Sequence, residues 1–434
     1  MMDQILNKDL DHNHLYKNML LAEERGVIPE IEVLLLALIP SISWLLSENV
    51  FVFYTDRLYM EHQAGAQAML PPGTRCDQFI LQKMLSVGGF GQIFEAGTIG
   101  NSREKSVVKV EAKTAMVQCY SGIQTIFFDF QFQLLYNECG CIKSLNSAYN
   151  PNGLLEATPF LRFHGYGTID GYRWLAMEKC GSNLSDLRKA TPLNRFSIPT
   201  SLFILSKFIE ALQMMHTIGW LHRDVKPANV CIGLHSPRHL YLLDFGMSRI
   251  YVEKDGTIKP RRVTAPFRGT LRYVSVNIHR RQDASRWDDI WSAFYIATEN
   301  MVGYLPWRRM GDTKKVEDTK VISDLSRLKY GSESARPNCM RVIEDYLNVS
   351  QINPSYFYES PPYDLMRREI DTDLRLRGYS LSSVRLDWMT VQYAPTSQYH
   401  LSPYSNQNRM MTPQKIQKKV DRMEREYERS VCFY

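Results

Sequence analysis

The chain has 434 residues, 44% hydrophobic and 23% charged, values ordinary for a soluble globular protein of one large or two medium domains. A net charge of +6 suits an acidic or phosphorylated partner and falls short of a nucleic-acid-binding signature. Eight cysteines with no C-x-x-C pair exclude an evident zinc site or disulfide framework and point to a reducing compartment.

Met1-Met2-Asp3 carries no basic n-region, so a secretory signal is not expected. The first apolar run, residues 33–46, contains Pro40 and is followed by Glu48; it is shorter than the about 20 apolar residues a bilayer span takes, and reads as a buried or interfacial segment. Residues 1–72 form an extension of unassigned structure ending at Pro71-Pro72-Gly73, a linker signal. A β-rich stretch over 79–95 is broken by Gly88-Gly89-Phe90-Gly91, and Val107 to Val110 reads as a further short strand. Apolar positions recur at helical spacing over 198–215 and again over 288–302 around Trp291, Phe294 and Tyr295. From about 391 the chain turns polar, and its charged run at 415–429 reads as a solvated helix or disordered tail.

The densest chemistry lies in Leu221-His222-Arg223-Asp224-Val225-Lys226-Pro227-Ala228-Asn229 and, shortly after, Leu243-Asp244-Phe245-Gly246. Asp224 can accept or orient a hydroxyl proton and Lys226 can neutralise charge on a transferring phosphoryl group. Asn229 and Asp244 offer hard oxygen donors to Mg²⁺. Upstream, Gly88, Gly89 and Gly91 allow backbone N–H groups to approach the phosphates of ATP, and Lys109 can pair with the α and β phosphates. The candidate nucleotide-binding residues along this stretch are Ser86, Val87, Gly88, Gly89, Gly91, Ile93, Val107 and Lys109. A glycine hairpin alone is more often only a turn, and a strand-end lysine is usually solvated. The ordered set from His222 to Asp244 is what a mixed-charge surface loop does not explain.

These motifs resemble protein kinases, and Lys226 within Asp-x-Lys-Pro is similar to the serine/threonine class. Gly269-Thr270-Leu271-Arg272-Tyr273-Val274-Ser275-Val276-Asn277, followed by Ser285-Arg286-Trp287-Asp288-Asp289, resembles the casein kinase 1 group, with Ser-x-Asn where most kinases have Ala-Pro-Glu. Pro260-Arg261-Arg262, Phe267-Arg268-Gly269 and Leu305-Pro306-Trp307-Arg308 look most like the tau-tubulin kinase branch. The resemblance covers about residues 75–390. It implies Met177 as gatekeeper, Glu178-Lys179-Cys180 as the adenine hinge, Asp289 as a buried brace for the catalytic loop, and an anion site for substrate at Arg272 with Arg308 or Arg309. A solvated basic cluster is an equal reading of those three arginines.

Two departures stand out. Ser86 occupies the place of the first loop glycine. Glu138, aligned as the glutamate that holds Lys109, is 29 positions away from it, about twice the family spacing, with 119–133 as the surplus. That surplus is either a real apolar insertion or translated intron sequence. The T-rich codons that Phe127-Phe128-Asp129-Phe130-Gln131-Phe132-Gln133 allow favour the latter. A real insertion leads us to expect Glu138 displaced from Lys109.

The expected fold is α+β: a bilobal protein kinase, with a small β-rich N-lobe over about 73–177 and a larger, mainly helical C-lobe over about 181–390. The expected function is ATP- and Mg²⁺-dependent phosphorylation of serine or threonine in acidic or phospho-primed protein substrates. The alternative is a pseudokinase or scaffold that keeps the fold as a binding surface. An intracellular monomer with neither nucleic acid nor membrane as partner is expected.

Overall fold

The structure is a computed structural model, and it describes residues 70–88, 91–112, 134–150, 158–191, 193–331 and 335–390. The 33–46 run, Gly89, the surplus at 119–133 and the charged tail lie outside the described residues.

Strands β1 (Arg75–Cys76), β2 (Phe79–Gly88), β3 (Gly91–Thr98), β4 (Asn101–Ala112), β5 (Phe163–Ile169) and β6 (Tyr172–Glu178) form one sheet, in the order β1-β2-β3-β4-β6-β5. All its pairings are antiparallel. The strand read as Val107 to Val110 is thus the end of a 12-residue β4. Alternation along the strands divides the sheet into two faces. Val108 and Val110 of β4 join Phe79, Leu81, Phe94, Trp174 and Ala176 in a small core, where Trp174 meets Phe79 edge to face. Lys109, between those valines, points to the other face, where its register neighbours are Ile93 and Leu175.

Helix α1 (Leu134–Tyr149) covers that second face. Leu135, Cys139, Ile142 and Leu145 pack with Leu175 and Met177 in the large core, which continues into the helical half of the molecule. The α1 N-terminus meets the Glu111 carboxyl group, which accepts the Leu135 N–H at 3.1 Å and so gives a partner to one of the N–H groups a helix start leaves unpaired.

The second lobe is built on α3 (Ile198–Thr217), which follows the short α2 (Leu184–Lys189). Ser197 caps α3 by accepting the Thr200 N–H, and the apolar periodicity buries Leu202, Leu205, Ile209 and Leu212. α3 packs against α5 (Arg286–Val302), which follows the single turn α4 (Val276–His279). Asp288 in the first turn of α5 reaches back to the Ser285 N–H at 2.7 Å and also accepts from Ser275, so the Ser-x-Asn segment is tied to the helix start. α6 (Thr313–Ile322), α7 (Asn338–Ile352), α8 (Tyr363–Leu376) and α9 (Asp387–Thr390) complete this lobe. On its cleft side lie the small pairs β7 (Trp220–Leu221) with β10 (Arg249–Ile250) and β8 (Val230–Ile232) with β9 (Leu240–Leu242). No helix among the described residues is long and apolar enough to cross a membrane.

Candidate active site

The loop joining β7 to β8 is held from beneath by Asp289 of α5. Its Oδ2 accepts the His222 N–H and its Oδ1 the Arg223 N–H, both at 2.8 Å. Burial works against the Asp289 charge, and hydrogen bonds from His216 and the loop backbone outweigh it, keeping this carboxyl below its ordinary pKa. Burial also lowers the pKa of His216, so the ring is neutral at pH 7: Nε2–H donates to Asp289 at 3.0 Å and Nδ1 accepts the Tyr363 hydroxyl at 2.6 Å. The brace expected at Asp289 has this geometry. With its backbone fixed, the loop sustains a positive φ of 66° at Arg223, and Asp244 on the neighbouring loop has one of 62°.

On this frame Asp224 is buried, with Oδ1 accepting from the Thr270 hydroxyl at 2.6 Å and Oδ2 from Lys226 Nζ at 2.5 Å. Asn229 donates its amide N–H to the Asp224 carbonyl at 3.0 Å, leaving its own carbonyl oxygen for another partner. Gly269 lets the Thr270 segment come close: at φ +108°, a Cβ there would lie 2.5 Å from the Arg223 carbonyl oxygen.

Lys109 faces this group from the sheet, with Nζ 2.7 Å from Glu138 Oε2 and 3.1 Å from Asp244 Oδ1. Although burial opposes its charge, the two carboxylates hold the ammonium in the charged form. Lys109 likewise outweighs burial at Asp244 and keeps that carboxyl low. The Asp244 side chain remains 42% exposed, with Oδ2 available. The displacement of Glu138 expected from a real insertion is not found. Three pairings bring α1 in: Glu111 at its N-terminus, the apolar packing above, and Asn137, whose amide donates to the carbonyls of Phe245, Gly246 and Ser248 at 3.2, 2.9 and 2.7 Å. Phe245 packs edge to face on His222 and Phe160, joining the two loops through apolar contact.

Of the glycine-hairpin residues, Ser86 and Val87 are exposed, Ile93 lies opposite Lys109, and Gly88 pairs with Gly91 at the turn. Gly91 has a second reason to be glycine: at φ +144° a Cβ would lie 2.2 Å from the Val110 carbonyl oxygen. Val107 pairs with Met177 across the sheet; Met177 is buried, and Glu178 pairs with Arg162 at 3.3 Å. Cys180 lies in the segment leaving β6, partly exposed.

The residues thus collected match the protein kinase domain family over residues 80–377. The chain belongs to the protein kinase family. Among similar kinases, a probable serine/threonine-protein kinase of Dictyostelium discoideum is 36% identical over 241 residues, covering 55% of this chain and 43% of that protein. A putative casein kinase I of Caenorhabditis elegans is 33% identical over 246 residues, 56% and 66% of the two chains. A putative serine/threonine-protein kinase of the same organism is 31% identical over 312 residues, 70% and 79% of the two chains. The match spans less than two thirds of the length of the first two.

Arg272, expected at an anion site, donates to Glu299 at 3.3 Å and to the Arg308 carbonyl at 3.1 Å. Arg308 stacks on Tyr304, and Arg309 is exposed. Several site residues are unassigned in the sequence: Thr270 beside Asp224, Glu111 of β4 and Asn137 of α1, and a pocket lined by Arg223, Arg262 and Arg268. Asp283 is buried beside this pocket, accepting from Arg249 at 2.6 Å and Arg262 at 2.7 Å. The sequence signal for that pocket was the run of arginines at 261, 262 and 268.

Proposed function

We propose that this chain transfers the γ-phosphoryl group of ATP to serine or threonine hydroxyls of protein substrates. The observation that carries the reading is the convergence of Lys109, Glu138 and Asp244 from one lobe-joining cluster with Asp224, Lys226 and Asn229 on the braced loop. Asp224 keeps one carboxylate oxygen on Thr270 and the other on Lys226, which points it at the acceptor hydroxyl and receives or orients that proton. Lys226 then sits where charge builds on the transferring group. Lys109, fixed by Glu138, meets the α and β phosphates, while backbone N–H groups of Gly88 and Gly91 approach them.

Asn229 through its carbonyl and Asp244 through Oδ2 would hold Mg²⁺. Hard oxygens of this kind suit it, and phosphate and water would complete its coordination. Bound Mg²⁺-ATP supplies the phosphoryl donor with its charge partly neutralised. Met177, Glu178 and Cys180 border the adenine in this reading.

The same reading puts the kinase domain at about 73–390, the chain in the casein kinase 1 group near its tau-tubulin branch, and the protein inside the cell as a monomer. The name of the C. elegans relative supports the group. The net charge of +6 supports acidic or phospho-primed substrates, met by Arg308 and Arg309 rather than by the already engaged Arg272. A radiolabelled ATP assay on an acidic protein tests the activity, with Asp244→Ala as control. Incorporation by the wild type alone is expected; equal incorporation by both proteins leaves the scaffold reading in its place.

A further inference from the structure

Lys320, near the end of α6, is 7% exposed, and among the described residues no carboxylate pairs with it. A lysine is seldom buried without a counter-ion, so the groups around its amine define its task. Nζ donates to the carbonyls of Leu271 at 3.0 Å and Val274 at 2.6 Å, stands 3.1 Å from His279 Nε2, and faces the rings of Tyr295 and Trp307 at 5.2 and 5.3 Å. Burial pulls its pKa well below the ordinary 10.5, yet an amine keeps two N–H groups for the two carbonyls in either protonation state. α6 is itself fastened beside α4, where Glu317 accepts from Arg280 Nε at 3.0 Å.

Both carbonyls belong to the turn that starts at Thr270. The Thr270 carbonyl accepts the N–H groups of Tyr273 and Val274 at 2.8 and 3.1 Å, and its hydroxyl donates to Asp224 at 2.6 Å. Trp307 Nε1–H donates to the Arg272 carbonyl at 2.8 Å, the Tyr273 hydroxyl to Glu299 at 2.7 Å, and the Ser275 hydroxyl to Asp288. Each of these contacts holds the turn at one residue. Lys320 bonds Leu271 and Val274 from a single atom, so it also sets the spacing between them.

We propose that Lys320 is a positioning residue for phosphoryl transfer, pinning the 270–275 turn as the wall against which the acceptor segment of the protein substrate lies. The proposal rests on the kinase reading above. A substrate hydroxyl that reaches Asp224 brings its flanking residues against the turn whose Thr270 touches the same carboxylate, so the shape of that turn decides how the acceptor is aimed. The partners of Lys320 all lie in the helical lobe, apart from Lys109 and Glu138 on the nucleotide side. Removing its N–H groups strands two carbonyls and loosens the turn, which weakens use of the acceptor and leaves ATP binding as it was.

Full-length wild type and Lys320→Met are compared at a temperature below both unfolding transitions, with dephosphorylated casein as the acidic acceptor. The variant is expected to lose about tenfold in kcat/KM for casein, most of it through KM, with its ATP dissociation constant by equilibrium dialysis within about twofold of the wild type. Hydrogen exchange at the Tyr273 and Val274 amides should quicken. Wild-type casein kinetics in the folded variant, whatever its unfolding midpoint, make Lys320 a stabilising residue only and overturn the proposal; so does an equal weakening of casein and ATP. Should Lys320→Met not fold, Lys320→Gln, whose amide ends one bond short of the two carbonyls, is read in the same way: a rise of about threefold in casein KM is expected, and an unchanged KM overturns the proposal. A wild-type chain that transfers no phosphate to casein overturns instead the kinase reading beneath it, and amide exchange in the variant still decides whether Lys320 pins the turn.

Discussion

The two walls of the cleft are held by different means. On the helical side, Asp224, Lys226 and Asn229 occupy one short loop, and the buried carboxylate of Asp289 fixes that loop by its backbone. On the sheet side, Lys109 depends on helix α1, and several separate contacts dock that helix at once. A loop bonded through its backbone tolerates little change in its support. A helix docked by several separate contacts shares its support among them, so a single change on the sheet side is expected to disturb Lys109 before it unfolds the protein.

Removing chemistry from the helical side tests the strongest part of this contrast. Asp224→Asn and Asp244→Ala should each lower phosphate incorporation about 10³-fold or more, with thermal unfolding near that of the wild type. Residual activity close to wild type in either would remove these residues from the reaction. Next in size is the brace. Asp289→Ala leaves two buried N–H groups and His216 without their acceptor, at a cost of about 3 kcal/mol or more, seen as a lower denaturant midpoint together with lost turnover.

On the sheet side, Glu138→Gln keeps a hydrogen-bonding partner for Lys109 but removes its charge. About a 10²-fold loss in kcat/KM with unfolding little changed is expected, whereas a collapse of stability would make α1 as rigid a support as Asp289. The smallest effect on turnover belongs to Glu111. Burial is the main cause that pushes its carboxyl up to about 7 from 4.5, so its contribution to stability is full below the unfolded value and fades as pH rises through 7. Glu111→Gln stays neutral and still accepts the Leu135 N–H. Denaturation midpoints of the two proteins should therefore coincide near pH 4 and separate in favour of the variant by pH 8; parallel curves would place the titration elsewhere.

This contrast also governs what was legible in the amino-acid order. Asp224, Lys226, Asn229 and Asp244 could be read because function and spacing sit in two short motifs, and Asp289 could be read through the segment that leads into its helix. The bilobal fold followed from glycine punctuation and helical periodicity. Glu111, Asn137 and Asp283 could not be assigned, since each acts on a partner brought near by folding rather than by spacing. Glu138 is readable as the partner of Lys109 from its own segment, and the displacement expected of a real insertion is absent because a count of 29 residues says nothing of where a helix ends up once its apolar face and its N-terminus both find partners. Arg272 read as an open fork because the carboxylate that engages it, Glu299, lies 27 residues later on α5.

Asp283 has a wider consequence. Arg249 and Arg262 sit on the stretch that leads from Asp244 toward Thr270, and both find their counter-charge in a carboxylate that belongs to the backbone-encoded sequence. Asp283 is a buried side chain of the chain itself, so the fold supplies this counter-charge wherever it forms. The two arginines are thereby tied to the same point, and the stretch between Asp244 and Thr270 is fastened to the helical lobe at its middle.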